Sequence, residues 1–299
     1  MINSQPKVAI VTVLALDSSY EVVDFLNEIS KIEYPNKQLI IVNNNPGFEW
    51  LPSLIRKYDD IILINSGGNV GVCKAYNIGI KRAIKEGADY SMLLNRDVKI
   101  SKHIVTELLR VFKNDDNAAM VSPIIMKYYK PGHIDFAGGF FNSVFYYLKI
   151  NRSKSVFNNK EIIPINSING CCVMIKSALM RKIGYFDEDL FLYFDDPEIS
   201  IRVYNAGYKC YLLPKPLVKH LKKSTKFAPY EAYYFGRNPF IMIHKHARGI
   251  FKTTGYFGQF LIRLPRNAIR MQSTRSFWMY LIGIRDGIKG VTGKSKYFK

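Results

Sequence analysis

Apolar residues follow two rhythms over the first 125 positions. Short β-rich, mainly apolar runs occur at Val8–Val13, Gln38–Val42, Ile61–Ile64, Tyr90–Leu94 and Ala119–Ile125. Between them lie Tyr20–Ile32, Glu49–Tyr58, Val72–Lys85 and His103–Phe112, where apolar residues recur every three or four positions. Such β-rich runs predict strands buried on both faces, and the second rhythm predicts amphipathic helices. Their alternation predicts an α/β fold: a mostly parallel, Rossmann-like sheet flanked by helices. Ligands of such sheets bind beyond the carboxyl ends of the strands. The polar groups Asn43-Asn44-Asn45, Asn65–Asn69 and Asn95-Arg96-Asp97 each follow an apolar strand, so they should converge on one crevice.

The pattern then changes. Ile134–Ile165 has no helical period and predicts hairpins or a long loop over the crevice. Asn169-Gly170 leads into a strand, Cys172–Ile175, followed by a short helix, Ser177–Ile183. Pro197–Ala206 has helical spacing and stops at Gly207, and Tyr208–Leu213 predicts a strand ending at Pro214. From Arg237 onward aromatic and aliphatic residues are interleaved with 13 Lys/Arg and a single acid, Asp286, a net of +12. Two units follow: an α/β domain over residues 1–225 and a basic, aromatic-rich helical extension over 226–299.

Charge sharpens this picture. Of 299 residues, 43 are Lys/Arg and 24 Asp/Glu, a net of +19, and about two thirds of it lies in that last fifth of the chain. Such an excess suits an anionic partner: nucleic acid, a membrane surface or phosphorylated small molecules. No RNA-recognition aromatic motif or zinc module is present, and the basic residues crowd into an apolar tail, which disfavours nucleic acid. Cys73, Cys171, Cys172 and Cys210 lack zinc spacing and are expected to be reduced, packed thiols of a cytoplasmic protein. The apolar run Val8–Leu16 is read as a first strand, not a signal peptide. No uncharged apolar run reaches the roughly 18 residues of a membrane span. The first strand is not followed by G-x-G-x-x-G, and neither a Walker A loop nor a G-x-S-x-G elbow occurs, which disfavours dehydrogenase, P-loop and serine-hydrolase chemistry.

Three places could carry chemistry. Asp97 ends the strand run MLLNRD; a carboxylate at a buried strand tip needs solvent, a partner or a metal, and hard divalent cations bridging a diphosphate prefer oxygen ligands. Asp187, Glu188, Asp189, Asp195, Asp196 and Glu198 crowd into FDEDLFLYFDDPEISIR. Acids before Pro197 suit a helix N-terminus, but one capping acid suffices, and a carboxylate crowded by like charge is a candidate general base. His220 follows the last strand beside a Lys-rich loop that could close over a phosphate, and imidazole is an acceptable manganese ligand.

In that order these segments resemble a family 2 glycosyltransferase with the GT-A fold, over about residues 7–245. VAIVTV and LIIVNNN resemble its first two strands, with Asn43 where an acid is usual. NVGVCKAYNIGI resembles the helix start near the donor, and LLNRDV the Asp-x-Asp metal region, with Asn95 for the first acid. The most specific stretch runs from Asn169 to His220, and YYFGRNPFIMIHKH (Tyr233–His246) resembles a block of rhamnosyl- and galactofuranosyl-type transferases of bacterial surface polysaccharides.

The resemblance implies roles for individual residues. Thr12 and Asn43 would hold the nucleobase, and Asn69, Lys74, Asn77, Asn95 and Arg96 would lie about the ribose and diphosphate, with Arg96 either beside the diphosphate or salt-bridged elsewhere. Asp97 and His220 would bind Mg²⁺ or Mn²⁺, Asp196 would be the base with Asp195 beside it, and Gly170, Glu198 and Arg237 would face the acceptor. The implied reaction is an inverting transfer of a sugar from a nucleotide-diphosphate donor, with dTDP-rhamnose favoured over UDP-galactofuranose and UDP-hexoses, to a lipid-linked or saccharide acceptor. The extension is expected to lie on the anionic inner face of the cell membrane, and self-association is left open. Asn43 and Asn95 also keep open a catalytically silent nucleotide-sugar-binding subunit.

Overall fold

The computed structural model describes residues 5–58, 60–159, 161–222 and 226–298. Its first half realises the alternation: β1 (Val8–Leu14), α1 (Ser19–Ser30), β2 (Lys37–Asn43), α2 (Leu51–Ile55), β3 (Ile61–Asn65), α3 (Val72–Lys85) and β4 (Tyr90–Leu94). Then come β5 (Val98–Ile100), α4 (Ile104–Asn114), β6 (Ala118–Lys127), β7 (Ile134–Phe136), β8 (Gly139–Asn142), β9 (Tyr147–Ile150), β10 (Ile163–Ile165) and β11 (Cys172–Lys176). The rest is α5 (Ser177–Ile183), α6 (Asp195–Asn205), β12 (Lys209–His220), α7 (Pro229–His246), α8 (Ile250–Phe257), a π-helical turn (Gly258–Arg263), α9 (Leu264–Ala268) and α10 (Thr274–Ile288).

The main sheet has the order β10-β12-β6-β11-β4-β1-β2-β3. β1, β2, β3 and β4 are parallel, and β12 is parallel to β6, whereas β11 runs antiparallel between β4 and β6. The strands' mainly apolar runs are explained by burial: in β1 Val8, Ala9, Ile10, Val11 and Leu14 are all shut from solvent. β8 and β9 form the expected hairpin. All four cysteines are free and buried.

Two elements differ from the sequence expectation. The helix expected over Glu49–Tyr58 shrinks to five residues, with Pro52 in its first turn. The strand expected to stop at Pro214 continues as β12 to His220, shifting register around Leu213, Pro216 and Val218. Proline lacks a ladder donor and is tolerated at such bulges, so Pro214 and Pro216 mask a strand without ending it.

The basic extension begins with a core element. Ala232, Phe240, Ile241, Met242 and Ile243 of α7 join the same hydrophobic core as the sheet. α10 lies against α7 so closely that a Cβ at Gly236 or Gly283 would come within 2.3 or 2.1 Å of a backbone oxygen of the facing helix, which is why glycine stands at both. Among the described residues, no helix is long and apolar enough to cross a membrane.

Candidate active site

Register assembles the first corner. β5 starts one residue after Asp97 and pairs antiparallel with β12, setting His220 opposite Val98, while the Leu221 amide donates to the Asp97 carbonyl. His220 Nε2 thereby lies 3.3 Å from Asp97 Oδ2. β7 pairs with β6 and brings Asp135, unnoticed in the sequence, to 3.0 Å from the other ring nitrogen of His220. Burial opposes a charge on His220, but the hydrogen bonds and charges of Asp135 and Asp97 outweigh it and push its pKa up to about 9. Burial likewise opposes ionisation of Asp97, and His220 and Arg96 more than offset it, so this carboxyl lies below its ordinary range.

The donor set, one carboxylate oxygen and one imidazole nitrogen already facing each other, fits a divalent cation. The Asp135–His220 bond is the carboxylate–histidine arrangement that orients a ligating ring. Among the described residues no three His, Cys, Asp or Glu groups gather as a cage, so the protein would supply two ligands and leave the rest to diphosphate and water. The Lys-rich loop after His220 falls partly on Lys223, Ser224 and Thr225, outside the described residues.

The second corner is the start of α6. Its N-cap is Phe194, with no side-chain cap bond, and the Asp195 carboxyl meets the first amides of the helix, its own and that of Asp196. Asp195 is buried, and Asp196 Oδ1 is shut from water with no hydrogen-bond partner. A Cβ on Gly170 would come within 2.8 Å of that oxygen, so glycine leaves the room the carboxylate needs. Burial and the adjacent Asp195 charge raise Asp196 well above the usual carboxylate range, with the Gly170 amide pulling the other way. Burial and Glu198 push Asp195 up to about 6, against nearby backbone amides.

The two corners share one site. β11 pairs with β4, setting Cys172 opposite Leu94, and the Asn95 amide donates to the Cys171 carbonyl at 2.9 Å. Tyr76, whose hydroxyl is 3.1 Å from Asn95 Oδ1, feels the charges of Asp195, Asp196 and Asp97 together.

A third cluster closes the ends of β2 and β3. Asn43 Nδ2 donates to Asn65 Oδ1 at 3.0 Å, Asn44 Nδ2 to Asn69 Oδ1 at 3.3 Å, and Ser66 Oγ to Asn44 Oδ1 at 3.1 Å. Thr12, on neighbouring β1, is wholly buried with an unpartnered hydroxyl. Lys74 lies at the start of α3, 4.0 Å from Glu188.

Four expected contact residues are otherwise engaged. Arg96 is salt-bridged to Asp17 and Glu21, while its charge also acts on Asp97. Asn77 is buried; its amide nitrogen donates to the Phe186 carbonyl and Glu188, and its oxygen accepts from the Phe186 amide, fastening the loop before the acidic cluster. Glu198 is buried between Arg202 and His246 and holds α6 in place. Arg237 is wholly buried, and its guanidinium donates to the carbonyls of Asp189, Leu190 and Gly293. The last three were read as facing ligands because a sequence displays charge and polarity but not the partners that consume them.

Residues 10–184 match the family model "Glycosyl transferase family 2". The chain belongs to that family. Among curated relatives of this family 2 enzyme, the "dTDP-rhamnosyl transferase RfbF" of Shigella flexneri is 23% identical over 281 residues, covering 90% of this chain and 92% of the relative. The "Low-salt glycan biosynthesis hexosyltransferase Agl10" of Haloferax volcanii is 23% identical over 227 residues, 68% and 66% of the two chains. S. aureus TarS 1–349 in complex with UDP-GlcNAc aligns over 95% of this chain and 81% of its own, with 12% identity and a TM-score of 0.61. GalNAc-T7 with UDP, GalNAc and Mn²⁺ aligns over 90% and 58%, with 13% identity and the same TM-score. These neighbours share the GT-A fold, so the chain is a GT-A glycosyltransferase.

Proposed function

We propose that this enzyme transfers L-rhamnose from dTDP-rhamnose, with inversion, to a lipid-linked or saccharide acceptor in bacterial surface polysaccharide synthesis. The observation that carries the reaction type is the Asp196 carboxylate, with an unpartnered Oδ1, whose charge meets that of Asp97 at Tyr76. The Asn43–Asn65 and Asn44–Asn69 pairs would receive the nucleobase and ribose, with the second amide hydrogen and second oxygen lone pair of Asn43, beyond its bonds to Asn65 and the Asn45 amide, left for a pyrimidine edge. Asp97 and His220 would hold Mg²⁺ or Mn²⁺, which supplies positive charge beside the departing diphosphate. Asp196 takes the proton of the acceptor hydroxyl as its oxygen bonds to the anomeric carbon and the bond to diphosphate breaks. One displacement needs no enzyme nucleophile and inverts the configuration. Rhamnose as the sugar rests on the RfbF relative and the Tyr233–His246 block.

The test is turnover of a panel of nucleotide sugars by the purified chain with Mn²⁺ or Mg²⁺, read as nucleoside diphosphate released. Turnover of dTDP-rhamnose is expected. Turnover of a UDP-hexose alone would refute the sugar, and turnover of none would favour the silent binding subunit. EDTA and Asp97→Ala should both weaken nucleoside-diphosphate binding; equal activity of the wild type in EDTA would remove the metal from the scheme.

The extension would dock on an anionic membrane face. Ile250, Phe251, Phe257, Phe260, Leu261, Ile269 and Trp278 are exposed there among basic residues, and each Lys or Arg near an anionic surface contributes about 1 kcal/mol. Full-length protein should float with anionic vesicles at low salt and not with neutral ones; indifference to anionic vesicles would refute docking.

A further inference from the structure

The turn between β8 and β9 reads Ser143-Val144-Phe145-Tyr146. Exposed turns are normally built from Gly, Asn, Asp, Ser or Pro, which supply bends and polar contacts. Here Val144 and Phe145 stand at the tip, 37% and 38% exposed, and Phe140 on the outward face of β8 is 44% exposed. The tip is fastened from behind. The Thr254 hydroxyl of α8 donates to the Val144 carbonyl at 2.6 Å. The buried Gln259 side chain of the π-helical turn donates to the Tyr146 carbonyl at 2.9 Å and to the Phe145 carbonyl at 3.3 Å. A Cβ on Gly258 would come within 2.0 Å of the Phe145 oxygen, so glycine lets the two backbones touch. The extension therefore engages the backbone of the tip and leaves its apolar side chains outside.

Those side chains continue an apolar surface of the extension. Phe251 and Phe257 stand three residues before and after Thr254, on the helix face that meets the tip. Phe257 is exposed, and so is Leu261, one turn further on. Two segments 110 residues apart in the chain thus share one apolar face. The charge beside it has a single sign. No acid occurs between Asp135 and Glu161, nor between Glu231 and Asp286. Exposed Lys149 lies opposite Phe140 across the hairpin, and exposed Arg248 and Lys252 lie next to Phe251 along the chain. Apolar side chains flanked by cations match an anionic lipid interface, where the rings enter the headgroup boundary and the cations meet lipid phosphates. Self-association through this face would set cations against cations.

The hairpin is also tied to the site. Gly139 and Ser167 exchange backbone hydrogen bonds at 3.2 and 3.1 Å, and Gly170, beside the Asp196 carboxylate, follows three residues later. Asp135, bonded to His220, precedes Phe140 by five residues, at most about 18 Å of extended chain. We propose that the β8–β9 tip and the α8–π turn form one membrane-inserting edge, which sinks into an anionic lipid interface and holds the Asp135–His220 corner close to it. An acceptor sugar carried on a lipid would then meet the site without leaving the bilayer. The inference rests on the docking of the extension and adds to it an element of the α/β domain, the hairpin.

The experiment is cosedimentation of the full chain at low salt with vesicles, either of phosphatidylglycerol and phosphatidylcholine in equal parts or of phosphatidylcholine alone. The proteins are wild type, Val144→Ser/Phe145→Ser, Phe140→Ser and Phe257→Ser/Leu261→Ser, each checked by thermal melting. Wild type should bind the anionic vesicles and leave the neutral ones. The hairpin double variant and the extension double variant should each weaken that binding at least ~10-fold, because each withdraws two large apolar side chains from the interface. Loss with the extension variant but none with the hairpin variants would overturn the inference and leave docking of the extension standing. Indifference of the wild type to anionic vesicles would overturn both, and equal binding to the two vesicle types would overturn the anionic assignment. A hairpin variant that binds vesicles like wild type but turns a dimer into monomers in sedimentation velocity would give the face to a second copy, against the proposal. Should the hairpin double variant fail to fold, Phe140→Ser decides: it should weaken binding at least ~3-fold, and unchanged binding overturns the inference.

Discussion

Asp196→Asn is expected to cut sugar transfer by at least ~10²-fold while nucleoside-diphosphate binding stays within about two-fold of wild type. The substitution keeps the shape of the side chain and removes only its capacity to take a proton. The largest influences on the Asp97–His220 corner come from burial, from these two residues themselves, from Asp135 and from Arg96, all left in place by the change. pH provides a second readout. Both acids of the pair are raised, Asp196 by burial and Asp195, and Asp195 to about 6 by burial and Glu198. The base acts only when ionised, so transfer by the wild type should climb as pH rises through that raised range. Stability should move the other way. A carboxyl whose folded pKa exceeds its unfolded value contributes stability below the unfolded value and loses it as pH rises through the folded one. Asp195→Asn should therefore raise the melting temperature at pH 8 relative to pH 4, by the equivalent of on the order of 2 kcal/mol. Near-normal turnover by Asp196→Asn, or a melting temperature of Asp195→Asn that gains nothing at pH 8, would count against the pair.

The parts of this site that were legible in the sequence are those where chemistry and periodicity conflict. Asp97 at the end of an apolar run and Asp195-Asp196 before a helix are costly positions, and cost is visible without coordinates. Buried parallel strands were legible for the related reason that burial on both faces leaves a mainly apolar run. Pairing across the sheet was not. His220 faces Asp97 only because β12 runs on past two prolines, and Asp135 reaches His220 only through β7. Its one local signal was an acid between Ile134 and Phe136 in a strand-like triplet. Partners that are backbone carbonyls leave no mark in a sequence at all. Asn77 and Arg237 were therefore read as ligand-facing groups although their polar atoms are spent within the protein.

Those carbonyl bonds underlie the second large effect, expected for Asn238→Ala: a fall in kcat of at least ~10-fold with donor KM held within about three-fold. The segment delivering Asp195 and Asp196 holds three non-glycine residues at positive φ, namely Phe191 at 62°, Tyr193 at 66° and Phe194 at 71°. Each such residue costs on the order of 1–3 kcal/mol, and such a conformation persists only where its surroundings over-determine it. α7 supplies the surroundings. Asn238 Nδ2 lies 3.0, 2.7 and 2.8 Å from the carbonyl oxygens of Leu190, Leu192 and Tyr193. Phe191 stacks on Tyr234 with ring centroids 5.4 Å apart, while Tyr193 and Phe194 pack on Phe235. Alanine would leave buried carbonyls without a donor, at roughly 1–3 kcal/mol each for those that water cannot reach. The segment would then relax toward negative φ and carry Asp196 away from the attacking hydroxyl. A shift of about 1 Å is enough to cost up to ~10² in rate. The Asn43–Asn65 and Asp97–His220 pairs are built from other elements than α7, so nucleotide binding should survive in the folded fraction. Equal losses in kcat and in dTDP affinity would mean general unfolding instead, and unchanged kcat would mean that the strained segment holds its shape without α7.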